Sequence, residues 1–249
     1  MSDEVQSGAW SGGRPPLAWL EKINRQALVG RLLVSTVHDV NNTLQVISGA
    51  AEVLAMDPTP AAVERRTTSI VAQAHHATAG LQALTAFARD VGEFSPRLGL
   101  KAVADQAVHL RQQALRKARI AVSVTGEEAE CAATPGRVLQ VLLNVLVNAE
   151  QALDGRPGAT LLVQVAAEPD TASVTVEDNG PGLDQARAAS LFTWPPPAPA
   201  AGALGIGLIV SRALAARDGG TLTHEPLAHG GALFRLSLPR HSGAHSSTE

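Results

Sequence analysis

His38-Asp39-Val40-Asn41-Asn42-Thr43-Leu44 sits in the middle of a long segment free of proline and regular in its apolar spacing. Apolar or near-apolar residues recur at Val29, Leu33, Thr36, Val40, Thr43, Ile47, Ala50 and Leu54. The steps alternate between four and three residues, the seam of a helix that packs on other helices. With Leu33, Val40, Ile47 and Leu54 on that seam, His38 falls almost opposite, facing solvent. Asn42 lies one turn further along the same outward face. An exposed imidazole flanked by a carboxylate and a carboxamide reads as a reactive histidine.

Upstream, Met1 to about Pro16 is rich in Gly, Ser and Pro, and residues 1–20 read as a flexible arm. The helix begins at Leu17 or Glu21 and ends at Met56, where Asp57-Pro58-Thr59-Pro60 breaks it. A second helix repeats the seam at Val63, Thr67, Ile70, Ala74, Ala77, Leu81, Leu84, Ala88 and Val91. Residues 21–94 therefore predict an antiparallel helical hairpin. One hairpin cannot bury both seams, so two copies forming a dimeric four-helix bundle is the economical solution. The alternative is a hairpin packed on its own C-terminal domain. His75-His76 point in different directions on a helix, and the other histidines lack ligand spacing, so no histidine metal cluster is expected.

The 249 residues allow one large domain or two small ones. Hydrophobic content of 45% and charged content of 17% are those of a globular protein. A net charge of −3 gives no electrostatic footprint for nucleic acid. A lone cysteine, Cys131, rules out an internal disulfide and reads as a small buried hydrophobe. No run approaches the roughly 18 apolar residues of a membrane span, and no signal-peptide pattern opens the chain, so the expected compartment is the cytoplasm.

Gly92 to Gly99 reads as a linker around Ser95-Pro96. Beyond it the pattern turns mixed, and residues 98–240 predict an α+β two-layer sandwich with a short polar tail, 241–249, expected to be disordered. Helices are expected at Leu100–Lys117, from Pro135 to Asp154, and at Gly207–Arg217. Strands are expected at Ile120–Val124, Leu161–Ala167, Ala172–Glu177, Thr221–Thr223 and Ala232–Leu238. The helix Arg137–Leu153 is almost wholly apolar except for Asn144 and Asn148, spaced to share one face. Burying an unpaired amide costs on the order of 1–3 kcal/mol, so two on one face suggest that a ligand or ion completes them. An amide oxygen can ligate Mg²⁺, which accompanies nucleotide phosphates. A strand carrying Val174 and Val176 inward ends at Asp178-Asn179-Gly180-Pro181-Gly182, which places Asp178 to accept from a base amino group. Gly180 and Gly182 let backbone approach a ligand closely. Gly205-Ile206-Gly207 opens an apolar helix whose free N–H groups favour an anion.

This order of motifs resembles the bacterial sensor histidine kinases, a dimerisation and phosphoacceptor hairpin followed by a GHKL-type ATP-binding domain. The resemblance runs from about Leu28 to Pro239. His38 to Leu44 is similar to the family's H-box, with Thr43 in place of a common proline. Gln140-Val141-Leu142-Leu143-Asn144-Val145-Leu146-Val147-Asn148-Ala149 matches the N-box, while Asp178–Gly182 and Gly205–Leu208 match the two glycine boxes. The resemblance implies that His38 takes the γ-phosphoryl group of ATP, Asp39 handles the imidazole proton, and Asn42 positions a water for the reverse reaction. It implies Mg²⁺ on Asn144 with Asn148 beside it, adenine read by Asp178, and a pocket shaped by Gly180, Gly182, Gly205 and Gly207. The implied partners are a second copy, a response-regulator receiver domain and a separate sensor protein.

The chain departs from the family at the lid. Ala188 to Ser211 carries no Lys or Arg and runs through Phe192-Thr193-Trp194-Pro195-Pro196-Pro197-Ala198-Pro199. Ala203, Leu204 and Leu233 stand where a glycine, a small hydroxyl residue and a nucleotide-contacting Thr are common. Three readings follow: a histidine kinase, a dimeric phosphotransfer or adaptor protein with a degenerate nucleotide pocket, and a GHKL ATPase of another kind. Intact Asn144, Asn148, Asp178 and Gly180 favour the kinase over the adaptor, and an exposed His38 argues against the third.

Overall fold

The computed structural model describes residues 15–56, 59–89, 92–196, 205–227 and 230–240. The expectations for Asp57-Pro58, for Pro197 to Leu204 and for the tail 241–249 lie outside the described residues.

Two long helices, α1 (Leu17–Met56) and α2 (Pro60–Arg89), form the hairpin. Helix α1 starts inside the stretch 1–20 read as an arm, because Leu20 is drawn into the core at 1% exposure. Along α1 the buried residues include Thr36, Thr43 and Ala50, all on the expected seam. Upstream the buried face slips by one residue to Leu28 and Leu32, leaving Leu33 50% exposed. The slip arises because this end of α1 packs on the C-terminal domain as well as on α2. Leu33, Val34, Val37, Leu44 and Val46 remain exposed on α1, as do Val63, Val71 and Leu81 on α2.

The second domain is built on a five-stranded mixed sheet of order β2-β4-β5-β7-β6. Its strands are β2 (Ala121–Thr125), β4 (Thr160–Ala167), β5 (Thr171–Asp178), β6 (Thr221–Pro226) and β7 (Ala232–Pro239). Strands β2 and β4 run parallel and the other pairs antiparallel. Alternation is strict on β7, where Ala232, Phe234, Leu236 and Leu238 are buried and the residues between them half-buried. Three helices, α3 (Leu100–Lys117), α4 (Pro135–Leu153) and α6 (Gly207–Arg217), cover the sheet, and a single turn, α5 (Gln185–Ser190), lies in the loop between β5 and α6. The result is the two-layer α/β sandwich expected behind a helical hairpin.

Part of the expected linker is ordered strand. Segment β1 (Ser95–Gly99) pairs antiparallel with β3 (Glu130–Ala133), which lies between the expected strand Ile120–Val124 and the expected helix from Pro135, where no strand is expected. The pair is held by the Arg97–Glu130 ion pair at 2.9 Å and by Cys131, which is fully buried. Both segments are too short and too interrupted by Pro and Glu to show a strand period in sequence.

Asp218, at the end of α6, ties α6 to the start of α4. Its carboxylate accepts from the Thr134 amide at 3.0 Å, from Thr134 Oγ1 at 3.1 Å and from Arg137 Nη1 at 2.7 Å. A carboxylate at a helix N-terminus also opposes the helix dipole favourably. This clamp fixes the two helices that carry the candidate site.

Candidate active site

Helix α4 positions both candidate amides. Proline at its first turn needs no amide partner, and the apolar run behind it buries residues from Val138 to Val147 almost without interruption. Asn144 is buried at 7% exposure, whereas Asn148, one turn on, is half-buried. Strand β5 delivers Asp178 at its last position, 2% exposed. Asp178 Oδ1 accepts from the Gly180 amide at 2.8 Å. Burial pushes this carboxyl above the usual carboxylate range, opposed by the amides of Gly180 and Ala232 and by His224 and Arg156. A buried carboxylate kept at a cost is poised for a donor that ligand binding supplies.

The glycines are explained by close approach. A Cβ on Gly180 would lie 2.7 Å from Asp178 Oδ1, and one on Gly207 would lie 2.9 Å from Asn144 Oδ1. Gly182 and Gly205 adopt φ of 75° and 68°. Asn144 and Gly207 therefore meet at the junction of α4 and α6, with Gly205 two residues before, and Asp178, Gly180 and Gly182 lie at the end of β5.

Asn144 is not free. Its Nδ2 donates to Asn24 Oδ1 at 2.9 Å and to Ser211 Oγ at 3.0 Å, while its Oδ1 accepts from Asn24 Nδ2 at 2.9 Å. Gln140, fully buried, donates to the same Asn24 oxygen at 2.8 Å. The amide oxygen assigned to Mg²⁺ is thus engaged by a residue of α1. Asn148 makes no hydrogen bond through its side chain among the described residues, so its oxygen is the one open to a hard cation in this arrangement. The carboxamide pair fits Mg²⁺ in donor chemistry, with Asn148 half-buried and Asn144 buried under the Asn24 contact.

His38 is exposed on α1, as its place opposite the seam requires. Asn42 Nδ2 lies 3.0 Å from His38 Nδ1, and Gln113 Nε2 of α3 also meets that nitrogen. Asp39 is half-buried and lines a cavity with Thr36, His76 and His109, the two imidazoles meeting edge to face at 5.4 Å. His38 and Asn42 therefore share one outward face, with Asp39 turned to the neighbouring cavity. They stand apart from Asn144: the 14 residues from Asn24 to His38 span about 21 Å of helix at 1.5 Å per residue.

Sequence reasoning missed several contributors. Asn24, Ser211 and Gln113 carry no motif of their own and become visible only through long-range contact. His224, set aside among the scattered histidines, shares the helix-facing side of the sheet with Asp178. Its buried Nε2 has no partner among the described residues, and burial lowers its pKa against the pull of Asp178 and Glu225. Arg212, which the sequence does offer as a source of the charge missing from the lid, stacks from α6 over Phe192 at 5.1 Å, at the edge of the segment that lacks Lys and Arg.

Residues 133–242 match the family of histidine kinase-, DNA gyrase B- and HSP90-like ATPases. The chain is 29% identical to the sensor histidine kinase ZraS of Klebsiella oxytoca over 215 residues, 85% of this chain and 46% of that protein. It is 27% identical to the C4-dicarboxylate transport sensor protein DctS of Rhodobacter capsulatus over 229 residues, 88% of this chain and 35% of that one. The chain thus spans less than half the length of these relatives. Among solved structures, the catalytic domain of histidine kinase ThkA superimposes with a TM-score of 0.53 at 22% identity, covering 59% of this chain and 96% of that one. Full-length ShkA, solved with AMPPNP, gives 0.51 at 20% identity over 84% of this chain and 45% of that one. These two share the fold. No helix among the described residues is long and apolar enough to cross a membrane. With residues 133–242 matching this ATPase family and a likeness to sensor histidine kinases that runs through both domains, the chain is similar to the bacterial sensor histidine kinases, a helical hairpin followed by a GHKL-type ATP-binding domain.

Proposed function

We propose that this chain is an ATP-dependent protein-histidine kinase that phosphorylates itself on His38 and passes the phosphoryl group to an aspartate of a response-regulator receiver domain. The observation that carries the reading is the exposed His38, bonded to Asn42 and followed by Asp39, in one chain with the Asp178 and Asn144/Asn148 site. In the forward step a ring nitrogen of His38 attacks the γ-phosphorus. The bond to the β-phosphate oxygen breaks, ADP leaves with the electron pair, and Asp39 takes or orients the imidazole proton. Asp178 accepts from the adenine amino group, and the glycines at 180, 182, 205 and 207 let backbone close on the nucleotide. Asn148 and Asn144 would hold Mg²⁺, which neutralises charge on the transferring phosphoryl group. Asn42 would position water for dephosphorylation of the partner.

The 21 Å offset between His38 and the Asn24–Asn144 contact means that transfer needs the ATP-binding domain to repack along the hairpin, or a second subunit to supply the nucleotide. The open apolar residues on α1 and α2 support a homodimeric four-helix bundle. We place the hairpin at 21–94 and the ATP-binding domain at 98–240, working in the cytoplasm with a separate sensor. The adaptor reading is favoured by one observation, the engagement of Asn144 by Asn24.

Incubation with γ-labelled ATP and Mg²⁺ tests the proposal, beside His38→Ala and Asn144→Ala. Alkali-stable label on the wild type and on neither variant supports the kinase. Label that persists on His38→Ala sinks the assignment of the acceptor, and a folded dimer that takes no label sinks the kinase in favour of the adaptor.

A further inference from the structure

The first turns of α1 make a connection that hairpin formation does not require. Asn24, 5% exposed, exchanges two hydrogen bonds with Asn144 and accepts a third from Gln140. Around it, Arg25 Nη2 donates to Gln140 Oε1 at 3.1 Å, and Gln140 Nε2 also reaches the Glu21 carbonyl at 3.3 Å. Arg217, at the end of α6, donates to both Glu21 carboxylate oxygens at 2.7 Å. Leu20 and Leu28 bury the apolar side of the same turns. The reciprocal carboxamide pair fixes the orientation of both members, each making three hydrogen bonds, and here one member is a residue of the nucleotide site.

We propose that the Glu21–Arg25 turn of α1 is a latch on the nucleotide site. Asn24 holds the Asn144 carboxamide, and the site takes a Mg²⁺-chelated nucleotide at full affinity only when this turn has moved away. The inference rests on the reading of Asn144 as a residue of the cation and phosphate end of the site. Competition follows from burial: Asn144 is 7% exposed, its oxygen accepts from Asn24 Nδ2, and its nitrogen donates to Asn24 and Ser211. A cation that brings nucleotide phosphates with it needs the space beside that oxygen which the Asn24 turn fills. The apparent dissociation constant is the intrinsic one divided by the unlatched fraction, so a site latched nine-tenths of the time binds about tenfold more weakly than a released one. The latch lies at the start of the helix that carries His38, so force or rotation applied to the upstream end of α1 reaches the nucleotide site directly. Releasing it also frees the ATP-binding domain from the position that holds it about four turns from His38.

The test uses the full chain and leaves Asn24, Gln140 and Asn144 untouched. Glu21→Arg sets two guanidinium groups against each other and pushes the turn off. Glu21→Arg with Arg217→Glu restores the ion pair in reverse. Titration with a fluorescent ADP analogue, with and without Mg²⁺, reads affinity, and hydrogen exchange at 20–28 reads the turn. We expect Glu21→Arg to bind Mg²⁺-ADP about tenfold more tightly, the double variant to return to wild-type affinity, and nucleotide to speed exchange at 20–28 in the wild type. Equal affinity in all three proteins, with nucleotide bound, overturns the latch and leaves the nucleotide site standing. A folded wild type and Glu21→Arg that both fail to bind overturn the nucleotide reading and the latch with it.

Discussion

Gly207→Ala isolates the contact on which the site's geometry turns. On helix propensity alone this change stabilises, because Gly in a helix costs roughly 0.5–1 kcal/mol relative to Ala. The tertiary setting opposes it. The new methyl would lie 2.9 Å from Asn144 Oδ1 and 3.3 Å from its Cγ, several tenths of an ångström inside ordinary contact. Asn144 cannot swing away without loosening the bonds to Asn24 and Ser211, which lie at 2.9–3.0 Å. Overpacking of this kind costs about 1–3 kcal/mol, and each strained hydrogen bond adds up to about 1 kcal/mol. The clash therefore outweighs propensity, and we expect Gly207→Ala to lose about 1–2 kcal/mol by urea denaturation. The same change made in an Asn144→Ala background meets only a Cβ at 3.6 Å, so there it should be neutral or stabilising. The difference between the two backgrounds is the coupling energy, about 1–3 kcal/mol. A Gly207→Ala protein as stable as the wild type, or one equally damaged in both backgrounds, would refute the placement of α6 against Asn144.

Three other outcomes follow from buried charge and thiol chemistry. Arg111 and Glu150 form a bidentate pair with side chains 7% and 13% exposed, so Glu150→Ala should cost about 3–5 kcal/mol by leaving a buried guanidinium unpaired. Arg111→Met with Glu150→Leu should recover most of that in the same denaturation assay, and a Glu150→Ala loss below 1 kcal/mol on that scale counts against the pair. Burial, with Asp218 and Glu128 adding to it, pushes the Cys131 thiol up to about 12; native protein should resist iodoacetamide at mildly alkaline pH and react once unfolded, and native alkylation at a free-thiol rate contradicts this. For Asp178 the folded-state pKa lies above the ordinary 3.8, so the folded chain holds that proton more tightly than the unfolded one. Its ionisation costs stability above the folded pKa, and acid removes that cost; nucleotide affinity, which needs the carboxylate, should instead fall while the pH is still above 3.8. A fluorescent-ADP titration that stays flat down to that pH would show that Asp178 does not read the base.

Much of this molecule is legible along the chain because its signals are local. The seam through Thr36, Thr43 and Ala50, the proline at the start of α4 and the alternation along β5 and β7 each depend on residues a turn or a pleat apart. So does the grouping of His38, Asp39 and Asn42, and so does the sharing of one helix face by Asn144 and Asn148. These features determine a helical hairpin followed by an α+β sandwich, and they pick out the candidate residues for the proposed chemistry.

What tertiary structure decided is which of those residues touch. Strand β1 is held by a partner 30 or more positions away, so no local period announces it. The slip of the buried face to Leu28 and Leu32 reflects a second surface packed on α1, which a single-helix pattern cannot encode. Asn24 reads as an ordinary polar residue in a helix, yet it fills the carboxamide of a residue 120 positions later. Sequence periodicity states which face of an element is apolar; only the packed chain states what that face meets, because each contact is selected by the shape and unsatisfied hydrogen bonds of both surfaces at once.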